Sequence, residues 1–162
     1  MPTKRQSTST KHLDAIALLM QDHRDVEKMF KDFDKAGKAD DERGKADAVH
    51  RICVALTAHA EIEEEIFYPA ARKAIEEEDM MDEAEVEHAG IKGLVEELKE
   101  MSPGDNLYDA KVTVLMEYVK HHVKEEESEM FPKVRKAKLD LAELGTEMSQ
   151  RKQEVVTAAA AE

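Results

Sequence analysis

Two stretches of the chain carry the same chemical skeleton. "HAEIEEEIFYP", His59 to Pro69, and "HVKEEESEMFP", His122 to Pro132, each set a Glu four residues after a His, an aromatic at the ninth position and a Pro at the tenth. The chain has four prolines, and two of them close these segments. On a helix, a His and a Glu four residues apart share one face and lie ~6 Å apart along the axis. The imidazole can then bind one metal terminally while the carboxylate bridges to a second.

Spacing alone is weak support. With 37 acidic residues in 162, about a quarter of histidines would meet an acid at +4 by chance, and four of the seven do: His23, His59, His121 and His122. The helical face discriminates better. His23, His59, His88 and His122 follow the apolar Ile16, Ile52, Met81 and Leu115 by seven residues, which places them on apolar stripes, one per predicted helix. His50 falls about half a turn from His59 and should face solvent, and His121 lies ~100° from His122. His12 sits in the fraying start of the first helix. One core histidine satisfied by a carboxylate is ordinary. Four, with Glu63 and Glu126 one turn beyond two of them, imply an ion, because buried ionisable groups cost several kcal/mol unless paired or metal-bound.

The expected metal ligands are therefore His23, His59, Glu63, His88, His122 and Glu126. Four nitrogens and two carboxylates can hold two metals ~3.5–4 Å apart. Mixed imidazole and carboxylate ligation suits iron ahead of manganese or zinc. Cys53 stands alone among Ile52, Val54 and Leu56, so a thiolate zinc site, an iron–sulfur cluster and an internal disulfide are not expected. Packing is its expected role. Glu27, Glu85 and the tyrosines Tyr68, Tyr108 and Tyr118 remain open as additional ligands. The other acids of the two segments, Glu61, Glu64, Glu65, Glu125 and Glu127, read as a solvated helix face.

Long helices must position these groups. Charged residues make up 38% of the chain and aromatics 4%, with Glu, Lys, Ala, Met and Leu supplying strong helix formers. The 3–4 period predicts helices over about Lys11–Lys35, from Asp41 to a kink at Pro69, over Asp79–Met101 and over Asn106–Phe131, with Pro132 as an end or kink. "AGKADDERGK" and "SPGDN" are the breaks. A weaker fifth helix with a fraying tail follows from Leu139. The expected fold is all-α, an antiparallel up-down four-helix bundle with an additional C-terminal helix. The segments ending in Pro69 and Pro132 suggest a duplicated helix pair. Residues 1–10 read as a disordered leader, 11–137 as the bundle and 138–162 as a helical extension.

The net charge of −13 argues against nucleic acid and anionic membrane as partners. No apolar run approaches the ~20 residues of a membrane span. A cytoplasmic location is expected.

Together, His23, His59 with Glu63, His88, His122 with Glu126, and the closures "EIFYP" and "EMFP" resemble the hemerythrin family, specifically hemerythrin-like HHE cation-binding proteins, over roughly residues 11–137. The rival ferritin pattern needs two Glu-x-x-His motifs, and only Glu85–His88 fits on a ligand face. Oxygen-carrying hemerythrins have a further histidine one turn after the third-helix ligand and an aspartate as last carboxylate. Here those positions are Lys92 and Glu126, which implies more open coordination and reactivity rather than reversible oxygen carriage. The resemblance implies a non-haem di-iron protein, oxo- or hydroxo-bridged, that binds or reacts with peroxide, O2 or NO. The alternative is a non-enzymatic iron- or oxygen-sensing or iron-buffering module. A purely structural acidic bundle is the third reading.

Overall fold

The computed structural model describes residues 13–161. The predicted leader, Lys11 and His12 lie outside these residues, and the first helix, expected from about Lys11, begins at Ala15, after Leu13 and Asp14. Helix α1 spans Ala15–Lys38, α2 Glu42–Ile62, α3 Tyr68–Ile75, α4 Glu78–Lys99, α5 Tyr108–Glu125, α6 Phe131–Lys136 and α7 Leu141–Ala160. Two π-helical segments, Glu63–Phe67 and Glu126–Met130, fuse α2 to α3 and α5 to α6. The result is an up-down bundle of four rods with a fifth laid against α1 and α2.

Local chemistry sets several helix ends. Asp14 caps α1 by accepting from the Ala17 N–H at 2.8 Å, Asp41 caps α2 through Gly44 at 2.9 Å, and Asp140 caps α7 through Glu143 at 3.0 Å. Helix α1 runs three residues past the expected Lys35, and only at Ala39 does the chain leave it. Glu76, at φ 50°, makes the left-handed step that ends α3.

The prolines act differently from expectation. Pro69 and Pro132 neither end nor break their rods; each stands at the second residue of the next α-helix. Proline offers no N–H and crowds the preceding turn. The chain relieves this by widening that turn: the Tyr68 N–H donates to the Glu63 carbonyl and the Phe131 N–H to the Glu126 carbonyl, both five residues back. The fourth rod accordingly runs to Lys136 rather than stopping at Phe131.

The extension is a full helix rather than a weak one. Its close approach to α1 depends on Gly145, where a Cβ would stand 2.3 Å from the Leu13 carbonyl oxygen and 2.8 Å from the Ala15 nitrogen. Met148, fully buried, joins an apolar cluster with Ile16, Leu19, Ile62, Phe67 and Phe131. A second cluster holds Val26, Phe30, Ile52, Leu56, Val95 and Leu115. Cys53 belongs to it as a packed residue, and burial pushes its thiol up to about 11. Following α1 from Ile16 and Leu19 through His23 to Val26 and Phe30 crosses from one cluster to the other. The polar layer lies between them.

Candidate metal centre

All six predicted residues meet in that layer. His23, His59, Glu63, His88, His122 and Glu126 are each under 9% exposed, and the two carboxylates are at 0 and 1%. Ligand-capable atoms form two groups within 4.8 Å: Glu63, His88, His122 and Glu126 in one, and His23, His59 and Glu126 in the other. Each carboxylate faces both groups. Glu63 Oε1 lies 2.9 Å from His59 Nε2 and 3.2 Å from His88 Nε2. Glu126 contacts His122 Nε2 through Oε1 and stands 4.0 Å from His23 Nε2 through Oε2. The π-helical turns contribute directly, because Glu63 and Glu126 are their first residues.

The outer nitrogens explain why the rings point inward. Nδ1 of His59 donates to Asp22 at 2.9 Å, that of His122 to Glu87 at 3.0 Å, that of His23 to Glu127 at 3.2 Å and that of His88 to Glu64 at 3.3 Å. Each imidazole is thus held from behind by a carboxylate with Nε2 turned to the centre. This is the carboxylate–histidine arrangement that orients and strengthens metal-binding imidazoles. The pattern has a pseudo-twofold relation. The acid just before the single histidine of α1 or α4 (Asp22, Glu87) serves the histidine of the neighbouring rod. The acid just after each inward glutamate (Glu64, Glu127) serves the single histidine.

Sequence reasoning missed these four acids. Glu64 and Glu127, read as solvated, are half-buried partners of His88 and His23. The available signal was the repeated Glu–Glu pairs and the Asp–His and Glu–His dipeptides on apolar stripes. Glu27 is exposed beside Lys31, and Glu85 is exposed and faces Arg72, so neither reaches the centre. Of the tyrosines, only Tyr68 does. Its hydroxyl donates to Glu126 Oε1 at 3.1 Å and lies 3.1 Å from His88 Nε2 and 3.0 Å from His122 Nε2. Tyr108 packs near Phe33, and Tyr118 is exposed. His50 faces solvent as expected, and His121 is exposed too.

The chain's own groups compete strongly for charge. Burial pulls His59 down, but Glu63 and Asp22 outweigh it and hold the imidazole up at about 10. Burial is likewise overcome at His122, which Glu126 and Glu87 raise to about 11. Burial and the charge of His59 push His23 down to about 4. Glu126 is driven up to about 7 by burial and by Glu63, whereas His59 and His88 overcome burial to hold Glu63 well below the usual range. Even so, His23 Nε2, Glu63 Oε2 and Glu126 Oε2 are buried without a hydrogen-bond partner among the described residues, while Glu63 Oε1 has only the ring nitrogens of His59 and His88 facing it. Such atoms are costly to leave unpaired, and all three belong to the predicted ligand set. The donor set and its orphaned atoms fit a metal.

Helix α7 enters the centre from outside the four rods. Lys152 donates to Asp22 Oδ1, while Asp22 Oδ2 accepts from His59. Arg151 secures the same helix to Glu65 at 2.8 Å and to Glu61 at 3.4 Å. Lys92, at the place where oxygen carriers have a further histidine, bonds Glu64 at 2.6 Å instead.

A family model described as the hemerythrin HHE cation binding domain matches residues 14–134. A curated relative from Nostoc sp., described as a DNA nickase, is 30% identical over 118 residues, which cover 73% of this chain and 32% of that protein. The chain thus spans about a third of that relative's length. The crystal structure of a hemerythrin HHE cation binding domain-containing protein from Mycobacterium kansasii superposes with a TM-score of 0.77, at 19% identity, covering 90% of this chain and 89% of that one. That likeness concerns the fold.

Proposed function

Because the chain belongs to the hemerythrin HHE cation binding domain family, we propose that it is a non-haem di-iron protein that binds or reacts with a small oxidant or diatomic such as peroxide, O2 or NO. In this reading His23, His59, Glu63, His88, His122 and Glu126 would hold the iron. The observation that carries it is the set of four imidazoles braced through Nδ1 by Asp22, Glu64, Glu87 and Glu127, all presenting Nε2 to the buried carboxylates of Glu63 and Glu126. Iron there would supply one-electron redox chemistry and open coordination positions.

The chain's residues do the rest. Beside the imidazoles lies an internal space of about 30 Å³ lined by Val26, Leu56, Ile91 and Val119. That is room for one very small molecule in mostly apolar surroundings. A groove of about 650 Å³ between α1 and α5 reaches His23 from solvent. Tyr68 keeps its proton, since burial and the charges of Glu126 and Glu63 raise it well above 10, and it points that O–H at Glu126. Helix α7 is tied to the bundle where Lys152 reaches Asp22.

A second reading, an iron-sensing or iron-buffering module, draws on the same orphaned atoms: a centre this costly to leave bare ties the order of the bundle to its metal. The net charge of −13 gives no support for extending the longer relative's nickase action to this chain.

Metal analysis and optical spectra of purified protein, with and without His59→Ala, test the proposal. Two irons per chain and near-ultraviolet charge-transfer bands lost in the variant are expected. Absence of tightly bound metal after growth in iron-supplemented medium would leave the structural acidic bundle as the better account. Turnover of peroxide or NO then separates the reactive reading from the sensing one.

A further inference from the structure

Neighbouring rods pack closely where α1 meets α2, α2 meets α4 and α4 meets α5, but α1 and α5 stand apart. The groove of about 650 Å³ occupies that seam. Its floor is apolar, with Met20 and Phe30 from α1 and Met116, Val119 and Val123 from α5. Its rim carries both signs, Arg24, Lys120 and Lys124 beside Glu27, Asp34 and Glu127, so it selects neither charge. The small inner space beside the imidazoles lies directly behind this floor. His23, Val119 and Val123 line both the groove and the inner space.

Those three side chains are the partition between solvent and the centre. His23 is its fixed part, because Glu127 holds Nδ1 at 3.2 Å and Phe131 lies parallel to the ring at 6.0 Å. Val119 and Val123 are half-buried, stand one turn apart on the same face of α5 and are held only by packing. Two other depressions meet the inner space less broadly. The acidic cleft between α4 and α5, lined by Glu83, Glu87 and Glu125, meets it at His122 alone. The pocket of about 330 Å³ beside α7 meets it at Asp22 and Val26, where Lys152 and His59 hold Asp22 in place.

We infer that ligands reach the centre through the α1–α5 seam, and that Val119 and Val123 are the size filter that decides which of them arrive. The inference deepens the small-oxidant reading above and rests on it. The groove is roomy enough for an organic hydroperoxide, whereas the inner space of about 30 Å³ is not. O2, NO and hydrogen peroxide are small and neutral, so neither the mixed rim nor the apolar floor turns them back. An alkyl peroxide stops at the valines. Branching at Cβ leaves a valine few rotamers, which gives the aperture a defined size. Passage needs only a side-chain rotation or a slight further parting of two rods that already stand apart. The filter thus sets the substrate class: neutral molecules of about the size of O2, with alkyl peroxides excluded.

The test has two arms. In metal-free protein, xenon NMR measures how fast xenon exchanges with the inner space. In iron-loaded protein, stopped-flow spectra follow NO association and compare reaction with hydrogen peroxide and with tert-butyl hydroperoxide. Val119→Phe narrows the partition, Val119→Ala and Val123→Ala widen it, and Val54→Phe narrows the pocket beside α7 instead. Circular dichroism checks that each variant is folded. Xenon exchange and NO association should slow about tenfold in Val119→Phe and keep the wild-type rate in Val54→Phe. The Ala variants should exchange xenon faster and react with tert-butyl hydroperoxide about tenfold faster relative to hydrogen peroxide. Wild-type xenon exchange and an unchanged peroxide preference in both Ala variants overturn the inference, whether or not Val119→Phe folds. Slowing in Val54→Phe but not in Val119→Phe also overturns it, by moving the entrance to the α7 side. If the wild-type protein retains no iron, the small-oxidant reading fails instead. Xenon exchange then decides the route alone: slower exchange in Val119→Phe or faster exchange in the Ala variants upholds it, and wild-type rates throughout overturn it.

Discussion

Tyr68 and Phe131 occupy the same place in the two repeated segments, nine residues after His59 and His122, yet they finish opposite sides of the centre differently. Tyr68 brings its hydroxyl to Glu126, His88 and His122. Phe131 lies parallel to the His23 ring, with centroids 6.0 Å apart, and brings no polar atom. The near-symmetric set of buried histidines and glutamates is therefore asymmetric in its surroundings: one group has a proton donor beside it and the other an apolar wall.

Tyr68→Phe should remove that difference. The metal-free variant should lose about 1 kcal/mol of stability, the net worth of a buried hydrogen bond. Urea unfolding measures this. In iron-loaded protein the near-ultraviolet bands should shift while metal content stays at the wild-type value. Unchanged spectra would place the phenol outside the electronic surroundings of the metals.

Lys152→Met should leave Asp22, 5% exposed, with a single partner. A loss of about 1–3 kcal/mol is expected, because a buried acceptor keeps its desolvation penalty. Lys152→Arg should recover most of it. Equal stability in the Met variant would show that solvent replaces the ammonium and that α7 is a passive cover.

The metal-free protein should become less stable at alkaline pH. His59 and His122 stand at about 10 and about 11, above the ~6.5 of a free imidazole. Between these values the folded chain holds protons that the unfolded chain has released. The contribution is thus complete below pH ~6.5 and is lost as pH rises through about 10 and 11. Bound metal needs those nitrogens bare, so apparent metal affinity should rise with pH, about tenfold per unit for each proton displaced. Unfolding curves from pH 6 to 10 and proton release during metal titration check both signs.

Gly145→Ala should disturb the docking of α7 without touching the ligands. Its Cβ would meet backbone atoms of Leu13 and Ala15 at 2.3 and 2.8 Å, and backbone cannot swing aside as a side-chain tip can. A loss of about 1–3 kcal/mol is expected from overpacking. Hydrogen exchange should quicken along α7 and remain slow in α2 and α5.

The rods and the inward histidines were legible because a helix has a fixed period: any residue seven from Ile16, Ile52, Met81 or Leu115 shares its stripe. The prolines misled because their local effect is to interrupt an α-helix, whereas here the chain absorbs them by widening one turn. Glu64 and Glu127 misled for a related reason. In an ideal helix they sit beside the inward Glu63 and Glu126 on the solvent side, but in the bundle they meet the outer nitrogens of histidines on neighbouring rods.

The sequence by itself determined the all-α architecture, four amphipathic rods with a fifth helix, and the six inward groups, because periodicity is a one-dimensional property of the chain. Only the tertiary structure decided which acid braces which imidazole, which tyrosine reaches the centre, that α7 closes one flank through Lys152, and that the other flank stays open and acidic. Those relations join residues tens of positions apart, up to 130 for Asp22 and Lys152. They depend on how the rods are rotated and placed against one another, which no spacing within a single rod specifies.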